Sequence, residues 1–103
     1  MELLVFGKDV KLTPAVRTLI RTAAEGLEEH FRHVLTVHWN LTLERYEISV
    51  SCQLHARSGF YRASAHSKKL RIAVEDVIQK ILTQRRRKKA MDVRGRRKTV
   101  KKS

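Results

Sequence analysis

The chain opens with a short apolar stretch, Glu2 to Lys8, rich in Leu, Val and Phe and closed by Gly7 and a Lys8, Asp9 turn, which predicts a first strand. Thr13 and Pro14 predict a helix start, because the hydroxyl can cap and a proline at the first helical position gives up no hydrogen bond. Val16, Leu19, Ile20, Ala23, Leu27 and Phe31 then recur at spacings of three and four, one face of a helix ending near His30. From Leu35 the period changes to two. Leu35, Val37, Trp39, Leu41 and Leu43 alternate with polar residues, and so do Tyr46, Ile48, Val50, Cys52 and Leu54. These two strands predict a hairpin, and because opposed residues share a face, its loop has an even length around Arg45. Ser58 and Gly59 mark the next turn, followed by a strand over Phe60 to His66 with Tyr61, Ala63 and Ala65 inward.

Ser67 can cap a last helix whose stripe is Leu70, Ala73, Val74, Val77, Ile78, Ile81 and Leu82. The apolar pattern stops there, while the helix is expected to continue through the arginines that follow. The order β-α-β-β-β-α, with one apolar face on the sheet and one on each helix, predicts an α+β fold. It is a two-layer sandwich, a four-stranded sheet with two helices on one face, like the double-stranded RNA binding domain. Residues 1–89 form the predicted domain and residues 90–103 a basic, flexible tail.

Charge changes this picture from a generic small domain into one with a preferred kind of partner. Of the 103 residues, 23 are Lys or Arg and 10 are Asp or Glu, a formal net charge of +13. The excess is confined to one end: residues 1 to 66 carry 8 basic and 7 acidic side chains, residues 67 to 103 carry 15 and 3. A polyanion is the partner this implies, and nucleic-acid contact outranks a solvated tail because the run continues an amphipathic helix. Candidate contacts are Lys68, Lys69, Arg71, Lys80, Arg85, Arg86, Arg87, Lys88, Lys89, Arg94, Arg96 and Arg97. Lys68 and Lys69 are singled out because they are expected in the first turn of the last helix, where the macrodipole disfavours cations unless a phosphate binds there.

Other chemistries lack their signatures. The five histidines show no metalloprotease or zinc spacing, and the sequence has no nucleophile elbow, phosphate-binding loop or dinucleotide fingerprint. An enzyme, a cofactor and a small-molecule substrate are therefore not expected. The lone Cys52 falls in the inward register and cannot form an intramolecular disulfide, which suits a cytoplasmic protein. No apolar run approaches the roughly 18 residues of a membrane span, so no membrane is expected among the partners. Trp39 is also in the inward register, and the polar faces of the two central strands hold no aromatic residue. That argues against the middle of the sheet as a base-stacking surface of the RNA-recognition-motif kind.

The sequence resembles the ribosome hibernation promoting factor family, also called the protein Y or sigma-54 modulation family. The likeness is carried by the Leu3 to Gly7 strand, the Val10, Lys11, Leu12, Thr13, Pro14, Ala15 entry into helix one and the Leu27, Glu28, Phe31 ending. The alternating strands and the Arg62, Ala63, Ser64, Ala65 strand running into a basic amphipathic helix complete it. The resemblance implies a translation inhibitor bound to the small ribosomal subunit in the mRNA and tRNA channel. Basic residues of the last helix would lie on ribosomal RNA, and the protein would be a monomer off the ribosome. The chain departs from the family pattern at Lys69 and Arg71, where an acidic residue and a tyrosine are usual, and at Arg85, where a leucine usually follows the glutamine. A general double-stranded RNA binder is the alternative, since its last helix also opens with a Lys pair as Ser67, Lys68, Lys69, Leu70 do here.

Overall fold

A computed structural model describes the backbone of residues 1–102 and the side chains of residues 1–88. The elements are β1 (Glu2–Lys8), α1 (Pro14–Glu28), β2 (Val34–Glu44), β3 (Glu47–Ala56), β4 (Gly59–Ser67) and α2 (Leu70–Lys102). They follow the expected order and form an α+β sandwich with strand order β1-β2-β3-β4. α1 crosses over between β1 and β2, which are parallel, whereas β2, β3 and β4 are joined by antiparallel pairing.

The period-two pattern sets the register. Leu43, Leu41, Trp39 and Val37 lie opposite Ile48, Val50, Cys52 and Leu54, odd against even, around a two-residue turn of Arg45 and Tyr46. Arg45 adopts a φ of 55°, a left-handed conformation at the first turn position. Tyr61, Ala63 and Ala65 complete the inward face from β4, and Ile20, Ala24 and Leu27 of α1 and Ala73, Val74, Val77 and Ile81 of α2 cover it. Trp39 and Cys52, directly opposed, are fully buried in this layer, and burial pushes the Cys52 thiol up to about 12.

Three local expectations are corrected. Tyr46, expected to begin the inward row of β3, sits in the turn and is 87% exposed. Leu35 is 53% exposed, and Val34 takes the inward position instead, because the ladder shifts register between Val34 and Thr36. The α1 helix stops at Glu28, short of His30: His30 N–H donates to the Leu27 carbonyl and Phe31 N–H to the Glu28 carbonyl, tightened bonds that unwind the end. Phe31 remains buried all the same, its ring centroid 4.9 Å from that of Tyr61. The cap itself is as expected, with Thr13 Oγ1 accepting from Val16 N–H at 3.2 Å. α2 extends past the last apolar stripe residue to Lys102, and the side chains of the expected tail, 90–103, lie outside the described residues.

Candidate nucleic-acid interface

The basic helix lies along the outer edge of β4, and its first job there is structural. Edge strands present unpaired backbone groups that must be satisfied or protected. Lys80, Gln84 and Lys88, spaced four apart on one side of α2, reach those groups in turn. Lys80 Nζ donates to the Ser64 carbonyl at 2.7 Å, and Lys88 Nζ donates to the Ser58 carbonyl at 2.5 Å. Gln84 uses both ends of its amide, accepting from Arg62 N–H at 3.3 Å and donating to the Arg62 carbonyl at 2.5 Å. Gly59, at a φ of 152°, is part of the same fit, since a Cβ there would collide with the Lys88 ammonium.

Cations also cover the aromatic pair. The Arg85 guanidinium sits 5.7 Å from the centre of the Phe31 ring, and the Lys88 ammonium 5.6 Å from that of Tyr61. Three members of the basic set, Lys80, Arg85 and Lys88, are thus already engaged with the fold. Arg71, Arg86 and Arg87 are exposed, and so are Lys68 and Lys69. The side chains of Lys89, Arg94, Arg96 and Arg97 lie outside the described residues.

Lys68 and Lys69 stand just before the helix, one step earlier than expected. Ser67 is still the last residue of β4, paired with Ile48, and the Lys69 carbonyl accepts from Ala73 N–H at 3.2 Å, so Lys69 occupies the cap position. Ser67 Oγ accepts from Lys69 N–H instead of capping deeper in the helix. The electrostatic anomaly survives the correction: the first turn has no acidic residue, and Arg71 adds a third cation to the positive end of the helix.

The sequence profile of the family described as sigma 54 modulation protein / S30EA ribosomal protein matches residues 3–91. The chain belongs to this family. A ribosome hibernation promoting factor of Salmonella typhimurium is 29% identical over 89 residues, covering 86% of this chain and 94% of that one. The factor of the same name from Escherichia coli strain K12 is 27% identical over 84 residues, covering 82% and 88%. In three dimensions, a ribosomal subunit interface protein of Coxiella burnetii superposes with a TM-score of 0.72 at 20% identity over 87% of this chain and 99% of the other. The N-terminal domain of Thermus thermophilus Protein Y gives 0.73 at 17% over 82% and 94%. At these identities the structures speak for the fold.

Sequence reasoning missed two groups near the basic helix. Gln84 carried no charge signal, although its spacing of four from Lys80 and Lys88 is visible in the sequence. His66 and Glu47, on adjacent strands, form a 2.5 Å contact at the hairpin end beside Lys68, and only the β3–β4 register brings them together.

Proposed function

We propose that this protein is a ribosome-associated translation inhibitor. It binds small-subunit ribosomal RNA in the mRNA and tRNA channel through α2 and the Lys68, Lys69 pair at its start. The observation that carries the reading is the family match over residues 3–91 on a chain whose charge excess is concentrated in and just before α2. Lys68, Lys69 and Arg71 surround the N-terminus of a helix, where backbone N–H groups lack intrahelical partners and a phosphate oxygen is favoured by both dipole and ammonium charge. Arg86 and Arg87 extend the positive surface further along α2. The residues beyond 88 add charge to the same end of the chain and so strengthen attraction to RNA more than they select a site. A folded domain held in the decoding channel would exclude both substrates by its volume, so inhibition requires no catalysis.

Sedimentation of the purified protein with small subunits, large subunits and free duplex RNA tests this reading. The expected result is about one copy per small subunit, displaced well by tRNA and poorly by excess duplex, with cell-free translation stopped at near-stoichiometric amounts. Displacement in the opposite order would replace the proposal with general duplex binding. Affinity is also expected to fall steeply with salt, on the order of a thousandfold between low and moderate ionic strength if about six or more phosphates are neutralised.

A further inference from the structure

The face of the sheet turned away from the helices carries a diagonal band of four aromatic or imidazole rings, one from each strand, with a fifth ring, His66 of β4, outside the band. Phe6 of β1 meets His38 of β2 edge to face, with ring centroids 5.0 Å apart. His55 of β3 and Phe60 of β4 are directly opposed and meet in the same way at 6.2 Å. His38 and His55 are diagonal neighbours, since His38 pairs with Gln53 and Thr36 with His55. The two phenylalanines at the ends of the band are 54% and 57% exposed, although each could have been a polar residue at no cost to the core. The central strands supply no Phe, Tyr or Trp to this face, so reading them alone argued against it; the edge strands supply both phenylalanines.

We propose that this open face binds unpaired RNA, with bases stacking on Phe6 and Phe60. Single-strand binders combine aromatic platforms with hydrogen-bonding groups and a positive rim. Asn40, Ser51 and Gln53 lie between the two phenylalanines and supply hydrogen-bonding groups. Lys8 and Arg62 stand on the same face, on the two edge strands, where they can meet the phosphates of a chain that crosses the strands. The carboxylates of this face, Glu2 at one end and Glu44 and Glu47 at the other, bound that path. From strand spacing and rise, the two phenylalanines are roughly 20 Å apart, within reach of a few nucleotides of extended chain. The surface is separate from α2, which packs on the opposite side of the sheet. The protein therefore has two RNA surfaces, one for phosphates and one for bases.

The test must separate stacking from charge, because a chain of net charge +13 attracts any polyanion. Fluorescence anisotropy at about 0.3 M salt, where electrostatic attraction is weakened, compares a labelled adenosine dodecamer with an abasic dodecamer carrying the same phosphates. Stacking is worth roughly fivefold or more in affinity per base. The intact protein is expected to prefer the adenosine strand by at least about tenfold. Phe6→Ala with Phe60→Ala should bring that preference close to one while leaving thermal stability unchanged, and Phe6→Tyr with Phe60→Tyr should retain it. Arg86→Ala with Arg87→Ala should weaken both strands equally and keep the ratio. Equal binding of the two strands by the intact protein, or a preference that survives loss of both phenylalanines, overturns the proposal without touching the ribosomal reading of α2.

Discussion

Lys80, Gln84 and Lys88 face the outer edge of β4, whereas Lys68, Lys69, Arg86 and Arg87 belong to the same helix or its approach and lie open to solvent. In the sequence the two sets look alike. In the fold, the first satisfies backbone carbonyls that would otherwise be left at a bare sheet edge, and the second has no comparable task. A lysine ammonium that hydrogen-bonds a carbonyl keeps its charge and still contributes to the field around the helix. Its position, however, is fixed by the strand. The lesson is that a basic run can be divided by geometry into residues that hold the helix in place and residues free to meet a polyanion.

The comparison is broken most directly by removing the open set. Lys68→Ala, Lys69→Ala, Arg86→Ala and Arg87→Ala together should reduce RNA affinity about a hundredfold at low salt and lower the salt slope by about 3 to 4. The melting temperature should stay within a degree or two. A large fall in stability would place these side chains among the structural ones.

Removing the edge-bound set should do the reverse. Lys80→Met, Gln84→Met and Lys88→Met keep the apolar stems and delete the hydrogen bonds, at a cost of about 2 kcal/mol in sum. Cys52 offers a second readout: its thiol is buried beneath the helices and pushed up to about 12, so it reacts only when the fold opens. Labelling of Cys52 by a thiol reagent at pH 8 should accelerate about thirtyfold in the triple variant and stay unchanged in the open-set variant. An unchanged labelling rate in the triple variant would mean that the edge bonds contribute nothing to stability.

The single residue that sharpens the distinction is Gln84, which is uncharged. Gln84→Glu retains an acceptor for Arg62 N–H but turns a carboxylate oxygen toward the Arg62 carbonyl, where Nε2 now donates. A loss of about 1 to 2 kcal/mol is expected from urea unfolding. RNA affinity should fall by no more than a few-fold, through the added negative charge.

Much of the fold could be read from period alone. The β2–β3 register follows from Val37, Trp39 and Leu41 matching Leu54, Cys52 and Val50, since a slip of one residue would turn every one of them outward. Leu35 broke the pattern because the bulge answers to the connection below it, where His33 takes a φ of 53° and its carbonyl accepts from Arg57 N–H. The division of the basic residues was hidden for a different reason: a run of arginines has no period, and only the position of the β4 edge tells Lys88 from Arg87. Phe6 and Phe60 were hidden as well. Their shared face depends on β1 joining β2 in parallel at one edge while β4 closes the other.

The smallest expected effect concerns Arg85, which lies on the boundary between the two sets. It continues the charge of Arg86 and Arg87 in sequence, yet it is half-buried with its guanidinium over the Phe31 ring. Leucine, the residue that the family pattern puts after the glutamine, would keep the apolar contact with Phe31 and lose the cation–π attraction, worth about 0.5 to 1 kcal/mol at a partly exposed site. Part of that loss is offset because leucine is easier to bury than a guanidinium. Arg85→Leu is therefore expected to change unfolding stability by less than about 1 kcal/mol and RNA affinity by a few-fold at most. If the single change instead weakens RNA binding tenfold or more while the melting temperature stays constant, Arg85 swings away from Phe31 to meet phosphate, and it belongs with Arg86 and Arg87.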